Sequence, residues 1–340
     1  MKPQTRPETP TDDLFRHRLE NLIDTRHELV KLSELIDWDH FEIQWGATFC
    51  ENGRPGIATR LIAGLHYLKH TYALSDEQVV RRWSENPYWQ YFCGETYFQH
   101  ELPLDPSSLT RWRQRLGDKG MESLLSATID AAIQSKAVKS RHLKRVTVDS
   151  TVQEKAIAFP TDSRLYNRAR ERLVRLAKAH KRYEFGVKVS ITTTNRSNLV
   201  VGAQSLPGRP YDGHTLGGAL DQVTRLSGQR PERCYVDLGY RRHDVEDVVV
   251  FKARQKRGVT KSIRRELKRR NAIEPIIGHM KNDGLMHRNY LKGTQGDAIN
   301  VILCGAGQNL RLILRHLRVF WRKIRPACIC KPLLSSPRVA

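Results

Sequence analysis

The feature that most constrains the fold is the order of local patterns after residue 140. Four runs rich in Val, Thr and Tyr read as strands: "LKRVTVDSTV" (143–152), "FGVKVSITTT" (185–194), "NLVVGAQSL" (198–206) and "RCYVDLGY" (233–240). The first three alternate with period two. Between the third and fourth, "GHTLGGALDQVTRLSG" carries leucines and Val223 at amphipathic helical spacing, and helical pattern returns from about residue 262. Three strands, a helix, a strand and then helices suit an open α/β sheet. "GAGQN" (305–309) follows no strand, so its small residues read as helix packing and not as a phosphate loop.

The first 140 residues have a different texture. Leu19, Leu22, Ile23, Leu29 and Leu32 recur at helical spacing across 12–36, and after the turn-like "ENGRPG" a second such run spans Ala58 to Tyr72. Ser75 followed by Gln78 has capping-box spacing, and Asp105-Pro106 reads as a helix start before "SSLTRWRQRL". The expected organisation is an all-helical domain over 1–140, a second domain over 141–325 and a tail over 326–340. The helical half has two readings. It is a DNA reader that turns Arg111, Arg113 and Arg115 toward phosphates or bases, or it is a packing and dimerisation module.

Charge separates the halves. Residues 1–138 hold 16 Lys and Arg against 20 Asp and Glu, and residues 139–340 hold 42 against 16, so the +22 net charge belongs to the second half. Its densest run, "KARQKRGVTKSIRRELKRR" (252–270), packs ten cations around one acid. A surface of this kind implies a polyanionic partner. No stretch approaches the roughly 20 apolar residues of a membrane span, and the N-terminus has no apolar signal core, so a cytoplasmic chain is expected. The six scattered cysteines read as reduced thiols.

Two of the strands run apolar residues into one acid each, Asp149 in "VTVDS" and Asp237 in "YVDLG". A third acid, Glu274, shares a helical stripe with Arg270 and Lys281, at spacings of four and seven, beside an apolar face of Ile273, Ile276, Ile277 and Met280. Three carboxylates from separate elements can hold a pair of Mg²⁺ ions about 4 Å apart, a site for phosphoryl transfer. On this reading Glu274 faces metal, while Arg270, Lys281, Arg264, Arg265, Lys268 and Arg269 face the DNA backbone. "YDGHT" (211–215) reads as an Asp212-Gly213 turn with Thr215 capping the next helix, or else as His214 reaching the active site or DNA.

These residues resemble the DDE-type transposases of bacterial insertion sequences, specifically the insertion sequence five-like group. The three acids fall in "TVDST", "YVDLGY" and "AIEPIIGHMK", and Arg270, Glu274 and Lys281 match the family's Arg-x3-Glu-x6-Lys signature, with Leu267 where the signature has Tyr. "YDGHTL", "QKRGVTK" and "NYLKGTQGDAINVILCGAGQNLRLILRHLR" also look like family segments. The resemblance implies a ribonuclease H-like catalytic domain, a mixed sheet with flanking helices, preceded by the helical domain. It further implies Asp149, Asp237 and Glu274 as catalytic metal ligands, two Mg²⁺ ions for which Mn²⁺ can substitute, and cleavage and strand transfer of DNA. The partners implied are terminal inverted repeats, target DNA and further copies of the chain, a homodimer or higher oligomer on DNA in the nucleoid. Family members carry a long basic helical insertion after the first strand. Here the connection is shorter, with a basic amphipathic helix over about 160–182, which raises the reading of an internally deleted, impaired transposase that still binds DNA. A ribonuclease H-like nuclease would use the same acids without joining strands. A non-catalytic DNA binder would have the basic half without convergent acids.

Overall fold

The computed structural model describes residues 17–46, 48–49, 56–156, 166, 169–171, 173 and 186–329. The cysteines at 50 and 330, most of the expected helix at 160–182 and residues 330–340 of the expected tail lie outside them. The helical half comprises α1 (Leu19–Leu22), α2 (Glu28–Leu35), α3 (Trp38–Gly46), α4 (Thr59–Thr71), α5 (Asp76–Glu85), α6 (Pro87–Phe92) and α7 (Ser107–Gln134), the last broken at Gly117. Among the described residues, the run across 12–36 forms the two helices α1 and α2. The capping box at α5 forms as its spacing predicts: Ser75 Oγ accepts from Gln78 N–H and Gln78 Oε1 accepts from Ser75 N–H, both at 3.1 Å. Asp105 Oδ1 accepts from Ser107 N–H at 2.8 Å, which satisfies one orphan donor at the start of α7.

The second half builds a five-stranded sheet in the order β3-β2-β1-β4-β5: β1 (Arg145–Glu154), β2 (Gly186–Thr194), β3 (Val200–Leu206), β4 (Arg233–Val236) and β5 (Val249–Lys252). β1–β2 and β2–β3 are antiparallel, and β1–β4 and β4–β5 are parallel. This is the ribonuclease H-like arrangement, and β5, "VVFK", is a strand that sequence patterning missed. β1 and β2 pair in register from Val146↔Thr194 to Glu154↔Gly186. α8 (Asp212–Ser227) connects β3 to β4, and α9 (Lys261–Arg269), a 3₁₀ turn (Arg270–Ala272) and α10 (Ile273–Asn282) follow β5. Pro275 is accommodated because it falls in the first turn of α10.

The long α11 (Gly293–Ile329) ties the halves together. Its Leu310, Ile313, Leu314 and Leu317 join one continuous cluster of buried apolar residues that includes Leu65 of α4, Leu125 of α7 and Val201 of β3. Asn309 fixes the sheet edge: its Oδ1 accepts from Val200 N–H, and its Nδ2 donates to Val200 O and Thr128 Oγ1. "GAGQN" does pack closely, since a Cβ at Gly307 would lie 2.4 Å from the carbonyl oxygen of His70 in α4. Among the described residues no helix is long and apolar enough to cross a membrane. Cys93, Cys234 and Cys304 are buried free thiols.

Candidate active site

Asp149 lies on the central strand and Asp237 one residue past the end of β4. The parallel register pairs Thr147 with Tyr235. Two residues further along both strands come Asp149 and Asp237, side by side where β4 has stopped pairing and β1 continues. Side chains two apart share a face of a strand, so strand geometry aims both acids to one side. Glu274 enters from the first turn of α10, whose Ile273, Ile276, Ile277 and Met280 are buried as the helical spacing predicts.

The three carboxylates surround one guanidinium. Arg270 Nη1 lies 3.8 Å from Asp149 Oδ2, and Arg270 Nη2 lies 3.8 Å from Asp237 Oδ1 and 3.9 Å from Glu274 Oε1. Burial pushes the Asp149 carboxyl up to about 6, with Ser150 N–H and Arg270 opposing the shift and Asp237 and Glu274 adding to it. The donor set is all carboxylate oxygen, which suits a hard divalent cation, and the guanidinium marks where positive charge is wanted. As placed, the acids stand apart around it: among the described residues no three His, Cys, Asp or Glu side chains are close enough together to hold a metal ion.

The structure corrects several expectations. Arg270, expected to face the DNA backbone, turns inward with a side chain only 11% exposed. Arg113 is buried and ion-paired to Asp76, with Nη2 at 2.5 Å from Asp76 Oδ2, so it presents no charge to DNA. Arg111 and Arg115 are exposed; the first donates to Ser107 Oγ and the second lies over the Trp112 ring. Arg264, Arg265, Lys268 and Arg269 are exposed on α9, and Lys281 is half-buried in the last turn of α10.

"YDGHT" is not a turn followed by a cap. Asp212 and Gly213 open α8, and Thr215 is already inside it, its hydroxyl donating to Asp212 O at 2.8 Å. The motif braces the loop that carries Asp237. A Cβ at Gly213 would come within 2.2 Å of Arg241 O, and Asp212 is held by Lys188 of β2 at 2.8 Å. His214 is exposed, its ring edge-on to Tyr211, and none of its described contacts reaches the acids.

Sequence reasoning missed the purpose of the one acid in the basic run. Glu266 is buried, ion-paired to Arg145 of β1 at 2.9 Å and to Arg233 of β4 at 3.4 Å, and accepts from the Tyr235 hydroxyl. It clamps the basic helix onto the two strands that carry the site. A lone acid among ten cations was the available signal.

Two family models match: a transposase domain (DUF772) over residues 17–115 and a transposase DDE domain over residues 146–306. "Uncharacterized protein ORF8 in nfe locus" of Rhizobium meliloti is 53% identical over 180 residues, covering 53% of this chain and 86% of that protein. A solved piggyBac transposase synaptic complex with hairpin DNA aligns over 94% of this chain and 85% of that one, but at TM-score 0.37 and 8% identity that likeness carries no weight. With the mixed sheet and both domain matches in place, the chain belongs to the DDE transposases, DNA-cleaving and strand-transferring enzymes.

Proposed function

We propose that Asp149, Asp237 and Glu274 are the catalytic carboxylates and that they hold divalent metal, two Mg²⁺ ions for which Mn²⁺ can substitute. The observation that carries this reading is the approach of all three acids to one guanidinium, each within 3.9 Å. Metal bound there would activate the attacking water or 3′-hydroxyl and stabilise the leaving 3′ oxygen of a phosphodiester. The chain's own residues supply placement. β1 and β4 hold two acids on one face in fixed register, α10 brings the third, and the buried Glu266 keeps α9 against those strands.

The exposed Arg264, Arg265, Lys268 and Arg269 take the phosphates of DNA, with Lys281 at the far end of α10 completing that side. The substrates are the element's terminal inverted repeats and target DNA, engaged by a homodimer or higher oligomer in the nucleoid, within the insertion sequence five-like group. The helical half, with exposed Arg111 and Arg115, is the proposed reader of the repeats.

The test is metal-dependent cleavage and joining of DNA carrying the element's own ends. Asp237→Ala should abolish cleavage while DNA retention persists, since phosphate affinity comes from Lys and Arg. Full cleavage by that variant would sink the assignment, and cleavage without joining would mark a nuclease. The short connection at about 160–182 bears on how well the chain works. Transposition in cells beside a chain with a restored basic helical insertion should favour the restored chain, and equal frequencies would show that the short form is competent.

A further inference from the structure

We infer that Arg270 is a positioning residue that occupies the acid site before metal does: it gathers the three carboxylates and is displaced when a divalent ion binds. The inference rests on the metal-site reading above. At 3.8 to 3.9 Å the guanidinium is beyond good hydrogen-bond distance from all three acids. It is held centrally by charge and is not locked to any one of them. Its hydrogen bond goes instead to the neighbouring Asn271 Oδ1, at 3.4 Å.

The Arg270 and Asp149 side chains are only 11% and 18% exposed, so water screens that attraction least, whereas Asp237 and Glu274 reach the guanidinium from the solvent side. Three carboxyl groups face one guanidinium, an excess of acids over cations that a divalent ion would redress. Mg²⁺ takes its oxygen ligands at about 2.0–2.1 Å. Carboxylates that close around an ion at that distance leave no room for a guanidinium between them. Arg270 stands in the 3₁₀ turn between α9 and α10, so its long side chain can swing away from the acids while the backbone stays in place. Arg113 differs on this point: its guanidinium is fixed by direct bonds to Asp76 and Thr110.

Metal binding is then a competition with a resident cation. Removing that cation should tighten metal binding even though it removes a side chain from the site. The experiment is a calorimetric Mn²⁺ titration of the full chain without DNA, comparing the wild type with Arg270→Gln, Arg270→Lys and Asp237→Asn. The expected result is binding about tenfold tighter in Arg270→Gln (~1.4 kcal/mol), intermediate in Arg270→Lys and lost in Asp237→Asn. Thermal melts should show a larger Mn²⁺-induced rise in Tm for Arg270→Gln than for the wild type.

Equal or weaker binding by Arg270→Gln, with Asp237→Asn still impaired, would overturn the displacement and leave the metal site standing. No Mn²⁺ binding by either the wild type or Arg270→Gln would overturn both. If Arg270→Gln does not fold, the wild type decides by NMR. The Arg270 Nε–H signal, identified by its absence in Arg270→Lys, should shift as Mg²⁺ saturates the protein, and a signal that stays fixed through saturation would overturn the inference.

Discussion

In the helical half, Asp76 of α5 is bound by Lys69 of α4 at 2.7 Å and by Arg113 of α7 at 3.0 and 2.5 Å, all three side chains largely buried. In the sheet half, Asp149, Asp237 and Glu274 share one guanidinium at 3.8 to 3.9 Å. The first cluster has more positive than negative charge and direct bonds, and the second has the reverse and none. Their carboxyls respond oppositely. Burial works to raise the Asp76 carboxyl, yet the hydrogen bonds and charges of Arg113 and Lys69 hold it well below the usual carboxylate range. At Asp149 burial wins, and the carboxyl rises to about 6. A saturated cluster secures three helices, whereas the under-compensated one leaves three carboxylates with no direct bond to the one cation they share.

The largest expected effect is therefore on stability and falls far from the active site. Asp76→Asn leaves two buried cations short of a counter-charge and should cost about 3–5 kcal/mol, read by chemical denaturation. A loss under about 1 kcal/mol would erase the contrast between the clusters.

The pH dependence should differ in sign. Asp149 has a folded pKa above its unfolded value, so the metal-free protein loses stability from this group as pH rises from about 4 to about 6. Asp149→Asn should thus stabilise the metal-free protein at pH 7.5 by about 1–3 kcal/mol and leave it nearly unchanged at pH 4. Asp76, with its depressed pKa, contributes stability above its unfolded value and loses it as pH falls. Denaturation curves of both asparagine variants at the two pH values would expose any shared sign.

A smaller effect sharpens the division between buried and exposed cations. Arg264→Ala with Arg265→Ala should lower the slope of log affinity for DNA against log salt by about 2 and change stability by no more than about 0.5 kcal/mol. The measurement is binding at several salt concentrations, and an unchanged slope would move the DNA surface elsewhere. Smallest of all, His214→Ala should leave cleavage unchanged and stability within about 0.5 kcal/mol, because its ring meets only Tyr211 among its described ring contacts. Lost cleavage at unchanged stability would bring His214 into the reaction.

Much of the fold was legible where the signal is local. The capping box at Ser75 and Gln78, the apolar face of α10, four of the five strands and α8 all depend on residues within about one turn or one pleat of each other. Arg113 was misread because its partner Asp76 is 37 residues away, and nothing in "TRWRQRL" says which arginine points inward. Thr215, expected as the cap of this helix, lies four residues beyond the observed N-cap, Tyr211.

By itself the sequence determined the order of four strands and the helix between the third and fourth, the separation of charge between the halves and the three acids proposed as catalytic. Each of these is written in short-range periodicity, in composition or in motif. The tertiary structure alone decided which charges cancel. Register across β1 and β4 sets Asp149 beside Asp237, Glu266 disappears under the basic helix, and Arg270 turns from the expected DNA face into the acids. The reason is that a side chain's electrostatic environment depends on burial and on partners far away along the chain, and both exist only once the sheet and its helices have packed.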